Sequence, residues 1–198
     1  MATERDMLNL LAARYSQGRR GTIANRWVTA EHVYSTQRYY RRNADFVAID
    51  KYSSTQAMHG HEVKVSRADW LTELRDLSKS EAVKSYCDYW WLVVPDANIV
   101  KPGELPRGWG LLAETGKGLR VKVKAPRLHP APLTLDFVAG LAASVQRTAY
   151  REPLRRDARG IFTDKGLVCS SCGELAPCHL HQPREYGSTR TQNQENSS

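Results

Sequence analysis

The chain has 198 residues, a formal net charge of +8 and a pI near 9.5. That length suffices for one domain with a sizeable core plus an appendage, while no apolar run reaches the ~20 residues of a membrane span and the N-terminus lacks the apolar stretch of a secretory signal. Three of the four cysteines cluster near the C-terminus, which is no disulfide framework, so a reducing cytoplasm is expected, and the basic excess favours a polyanionic partner such as nucleic acid.

Residues 3–16 predict an amphipathic helix, with Met7, Leu8, Leu10, Leu11 and Tyr15 near helical spacing and Thr3 as its cap. After a basic turn over residues 17–21, a second helix is expected over about 24–35. Its apolar side would be Trp27, Ala30, Val33 and Tyr34, and it carries Glu31. Arg38, Arg41 and Arg42 then bracket Tyr39 and Tyr40.

Alternation from Asp45 to Asp50 predicts a strand, and residues 51–56 form a turn into a second strand that ends near Ser66. Glu62 and Lys64 are two apart on it and share a face, while Val63 and Val65 take the other. Ser66 or Asp69 caps the next helix, whose stripe is Trp70, Leu71, Leu74 and Leu77. A further helix is expected over about 79–88. The continuous apolar run Tyr89 to Val94, stopped by Pro95, suits a strand buried on both faces. Residues 109–114 and 119–124 read as a hairpin around Thr115-Gly116-Lys117-Gly118. Thr134 opens a helix to about Tyr150, with Phe137, Val138, Leu141 and Val145 inward. Periodicity alone gives α/β or α+β.

The expected organisation is a core domain over 1–150, a basic linker over 151–166, a zinc-binding module over 167–182 and a polar, disordered tail over 183–198. The module rests on Cys169-Ser-Ser-Cys172 followed by Cys178-His-Leu-His181. Two close pairs of Cys and His are how a short chain builds a tetrahedral Zn²⁺ site, with Cys169, Cys172, Cys178 and His181 as ligands and His179 as an alternative fourth. So small a module barely folds without its metal, and it would serve DNA contact or docking to a protein partner.

A carboxylate and an ammonium side by side, with an aspartate on the preceding strand, can hold a divalent metal and a water. Ala44-Asp45 followed by Glu62-Val63-Lys64 resembles the motif of the PD-(D/E)xK nuclease superfamily, Ala44 standing where the family has proline. The longer block from Glu62 through Ser66-Arg67-Ala68-Asp69-Trp70-Leu71-Thr72-Glu73-Leu74, with Lys79-Ser80-Glu81-Ala82 and Tyr86 to Pro95, is similar to the MmcB-type DNA repair nuclease group. The resemblance spans about residues 4–147. It implies a restriction-endonuclease-like α/β core, a mixed sheet flanked by helices.

For the site, the resemblance implies Mg²⁺ (or Mn²⁺) held by Asp45, Glu62 and the Val63 carbonyl, with Lys64 positioning or activating the attacking water. Glu31 would be the further acid, matching a helical glutamate of many superfamily members. Asp50 competes with Asp45, but five residues apart on one strand they cannot aim at one site. Arg38, Arg41 and Arg42 before the centre, and Ser66 and Arg67 after it, are the expected phosphate contacts. The expected function is a metal-dependent nuclease, most simply an endonuclease, cutting DNA in repair, recombination or nucleic-acid processing. The alternative is a non-catalytic nucleic-acid-binding protein that keeps the nuclease fold and uses the zinc module for assembly.

Overall fold

Helix α1 (Glu4–Arg14) is closed at its start by a capping box: the Thr3 hydroxyl accepts from the Asp6 amide, and the Asp6 carboxylate accepts from the Thr3 amide at 2.8 Å. Met7, Leu8, Leu11 and Ala12 form its buried side. The structure, a computed structural model, describes residues 2–16, 26–35, 43–156, 160–163 and 166–169, with side chains as far as 149.

A six-stranded mixed sheet follows, its strands lying side by side in chain order. β1 (Trp27–Tyr34), β2 (Asn43–Asp50) and β3 (Ala57–Val63) form an antiparallel meander. β4 (Tyr89–Val94) runs parallel to β3, and β5 (Trp109–Glu114) parallel to β4. β6 (Leu119–Val123) returns antiparallel through the Thr115–Gly118 turn, where Gly116 and Gly118 both take positive φ. The parallel step from β3 to β4 is made by two helices, α2 (Arg67–Arg75) and α3 (Ser78–Lys84), as a crossover requires. α4 (Leu135–Arg156) follows β6, and the Thr134 hydroxyl accepts from the Phe137 amide at its start.

Both faces of the sheet are covered, which explains the unbroken apolar run of β4. Trp90, Leu92 and Val94 enter a core with Trp70, Val83, Phe137 and Leu141 of the helices on one side. Trp91 and Val93 enter a second core with Met7, Leu8 and Leu11 of α1. Gly60 and Gly110 let these tryptophans in: a Cβ on either would lie within 2.6 Å of the Trp90 or Trp91 ring.

The second expected helix is a strand. Trp27, Ala30, Val33 and Tyr34 fit a helical stripe, yet Trp, Val, Thr and Tyr are strand formers and pairing with β2 gives them a partner. Leu71 and Val138 are exposed, so the inner stripes of α2 and α4 are narrower than their apolar residues suggest. The linker expected over 151–166 is partly regular: α4 continues to Arg156, and β7 (Gly160–Thr163) pairs with β8 (Gly166–Cys169). The chain divides into two compact units, Met1–Ala149 and Tyr150–Ser198. Cys169 ends β8, while Cys172, Cys178 and His181, the tail, and Arg38, Arg41 and Arg42 lie outside the described residues. No helix among the described residues is long and apolar enough to cross a membrane.

Candidate metal centre

The centre forms where β3 ends and α2 begins. The Ser66 hydroxyl caps α2 by accepting from the Asp69 amide at 3.1 Å, which turns the chain directly after Lys64 and Val65. The Lys64 amide donates to the Val93 carbonyl at 3.0 Å and so extends the β3–β4 ladder by one bond. Lys64 is thereby anchored by its backbone while its side chain reaches two acids.

Lys64 Nζ donates to Glu62 Oε1 at 2.6 Å and lies 3.0 Å from Glu73 Oε2. Across the β2–β3 hairpin, the Val63 amide donates to Asp45 Oδ2 at 2.7 Å. Two buried carboxylates therefore hold the ammonium, and a third, half-buried, lies on the adjoining strand. Burial, reinforced by the Asp45 charge, pushes Glu62 up to about 8 despite the pull of Lys64. Burial likewise raises Asp45, against the Val63 N–H and Lys64. Burial opposes the charge on Lys64, but the Glu62 and Glu73 carboxylates outweigh it and hold Lys64 above the usual lysine range. With all three carboxylates ionised against one ammonium the set is two positive charges short, and Glu73 Oε1 is buried without a hydrogen-bond partner among the described residues. A hard divalent cation beside Asp45 and Glu62 fits that shortage.

Glu73 was not among the acids expected at the centre. It lies one helical turn beyond Trp70, which is fully buried, and i, i+3 residues share a helix face. That spacing is the signal that could have found it. Glu4 and His32 were missed too. One ligand atom from each of Glu4, His32 and Asp45 lies within 4.8 Å of the others.

Glu31 does not occupy the expected place. It sits on β1, not on a helix, and both its carboxylate oxygens accept from Arg5 Nη1, at 2.9 and 2.8 Å. The helical acid beside Asp45 is Glu4. Asp50 lies at the far end of β2, roughly 17 Å along an extended strand from Asp45. There it is locked by Arg26 Nε at 2.9 Å and Thr55 Oγ1 at 2.6 Å, and the Arg26 guanidinium holds its carboxyl well below the usual range. Arg67, an expected phosphate ligand, pairs through both terminal nitrogens with Glu104 and donates to the Ile99 carbonyl at 2.8 Å. His61 is fully buried between the Tyr15 hydroxyl and the Phe46 carbonyl, and burial pulls its pKa well down. His59 accepts from Trp91 Nε1 at 3.3 Å, stacks on Tyr89, and is lowered to about 4 chiefly by burial. Both belong to the packing.

No protein-family model and no curated protein matches the chain. Among solved structures it is similar to a protein of unknown function from Silicibacter pomeroyi, with 21% identity and a TM-score of 0.52 over 79% of this chain and 93% of that one. At that identity the likeness speaks to the fold alone.

Proposed function

We propose that this protein is a metal-dependent nuclease of the PD-(D/E)xK type, hydrolysing DNA phosphodiester bonds. The observation that carries the reading is Lys64 held between Glu62 and Glu73, with Asp45 on the adjoining strand hydrogen-bonded to the residue between Glu62 and Lys64. The order helix, three-stranded meander, helical crossover, parallel strand supports a restriction-endonuclease-like core.

Asp45, Glu62 and the Val63 carbonyl would hold Mg²⁺ or Mn²⁺. A bound divalent ion supplies a polarised phosphoryl oxygen and a more acidic water. The Glu62 and Glu73 carboxylates favour the charged form of Lys64. Its ammonium orients the attacking water and offsets the charge that builds on the non-bridging phosphate oxygens as the new P–O bond forms and the old one breaks. Glu73 keeps Lys64 charged and fixes its rotamer, making it a positioning residue.

Strand β6 and its turn expose Lys117, Arg120, Lys122 and Lys124, a basic stripe suited to backbone phosphates. Arg67 is a weaker candidate for that role than its sequence position suggests, because its guanidinium is engaged. The Zn²⁺ module rests on the spacing of Cys169, Cys172, Cys178 and His181, and its place in the reading is accessory. Incubation with Mg²⁺ or Mn²⁺ and single-stranded, duplex, flapped and branched DNA tests the proposal. Cleavage of at least one substrate supports it, and binding without cleavage under every condition would favour the non-catalytic reading.

A further inference from the structure

Asp45 faces a second set of ligands that differs in chemistry from the first. The β1–β2 pairing runs from Trp27 opposite Asp50 to Glu31 opposite Phe46, omits His32 and Asp45, and resumes at Val33 opposite Ala44. His32 has φ of 51°, and it is the one non-glycine residue with positive φ among the described residues. The break has a consequence for the pleat. Ala30 and Val33, three apart and of opposite parity, enter the same core. His32 is thus taken out of the ladder at the position facing Asp45. Its Nε2 lies 4.0 Å from Glu4 Oε1, in the first turn of α1. The Thr3–Asp6 capping box fixes that turn.

We propose that Glu4, His32 and Asp45 form a binding site for a divalent transition ion of the Mn²⁺ class, with Asp45 shared with the oxygen-only centre at Glu62. One ligand comes from each of three elements, and all three ligand atoms lie within 4.8 Å of one another, a separation that a single ion bridges with small side-chain movements. The imidazole decides the metal. Mg²⁺ is bound through oxygen and keeps its waters, whereas one nitrogen among carboxylates suits first-row transition ions. Thiolates would draw Zn²⁺ to the C-terminal cysteines, so Mn²⁺ is the probe that reports this site. The inference shares Asp45 with the proposed nuclease centre but needs no phosphodiester chemistry.

Pulsed electron paramagnetic resonance of Mn²⁺ added to the full-length protein in excess Mg²⁺ is the test. The expected result is one retained Mn²⁺ with ¹⁴N coupling from a coordinated imidazole. His32→Asn should abolish the coupling while leaving the circular dichroism spectrum unchanged, since Asn tolerates positive φ. Glu4→Gln alters a half-exposed side chain and should weaken Mn²⁺ by about tenfold or more, the scale seen when a metal's surroundings lose a charged partner. Glu62→Gln should keep the coupling. Absence of ¹⁴N coupling in the parent protein, its survival in His32→Asn, or an unchanged affinity in Glu4→Gln would each overturn the proposal. Retained coupling in a protein that cuts no DNA would instead leave this site standing and remove the nuclease reading.

Discussion

Lys64 is held between two carboxylates from different elements, 2.6 Å from Glu62 on β3 and 3.0 Å from Glu73 on α2. One acid is a candidate metal ligand and the other has no such duty, so the two can be separated by substitution.

Glu73→Gln keeps the shape of the side chain and removes the charge that steadies Lys64. We expect DNA binding within a few-fold of the parent and single-turnover cleavage lowered by roughly ten- to a hundredfold, the range for partners that orient active-site groups. Because Glu73 acts through Lys64, adding Glu73→Gln to Lys64→Ala should cost little more. A fully additive double variant would show that Glu73 acts elsewhere.

The two aspartates of β2 should respond in opposite ways. Asp45→Asn removes a charged group at the centre and should abolish cleavage with the fold intact. Asp50→Asn should leave cleavage near the parent level but lower stability by roughly 1–3 kcal/mol, the scale of hydrogen bonds to a charged group. Chemical denaturation beside a cleavage assay reads both effects. Cleavage lost in Asp50→Asn at temperatures where it remains folded would reverse the assignment.

Arg67 and Glu104 give a pH prediction. The Arg67 guanidinium holds Glu104 down to about 2, aided by the Lys101 amide. A carboxylate with a depressed pKa in the folded state stabilises above its unfolded value, near 4.3, and that contribution is lost as pH falls toward 2. Glu104→Gln should therefore melt below the parent at neutral pH and converge with it near pH 2. The same variant frees Arg67. Tighter DNA binding in Glu104→Gln would return Arg67 to the phosphate-binding surface.

Cys169 closes β8, and the remaining expected zinc ligands follow within twelve residues of it. The full chain should carry about one Zn²⁺ in a tetrahedral site. Cys172→Ser should release it without moving the main thermal transition, because so small a zinc module folds with its own metal. Elemental analysis and calorimetry check this, and loss of the main transition would tie the cysteines to the larger fold.

Sequence patterns were legible wherever local chemistry and burial agreed. Thr3, Ser66 and Thr134 all cap the helices assigned to them, and the run from Tyr89 to Val94 is the doubly buried strand it resembles. The reading failed at β1, where four apolar residues satisfy a helical stripe by coincidence and only the pairing with β2 decides. That error carried Glu31 onto a helix and hid Glu4. Asp45, Glu62 and Lys64, which strand alternation and the motif both single out, lie together at the β2–β3 hairpin. Glu73 and His32 were not legible in this way, since each reaches the centre through tertiary packing: one by a helix folding back over the sheet, the other by a break in the ladder.

Cleavage by the Glu62→Ala and Lys64→Ala variants tests the central claim most directly, with DNA affinity measured in parallel on the same preparations. Phosphate contacts carry affinity while these two groups act in the transition state. We expect metal-dependent cleavage to vanish in both variants and DNA affinity to stay within a few-fold of the parent. Variants that bind and cut DNA as well as the parent would contradict the assignment of the centre.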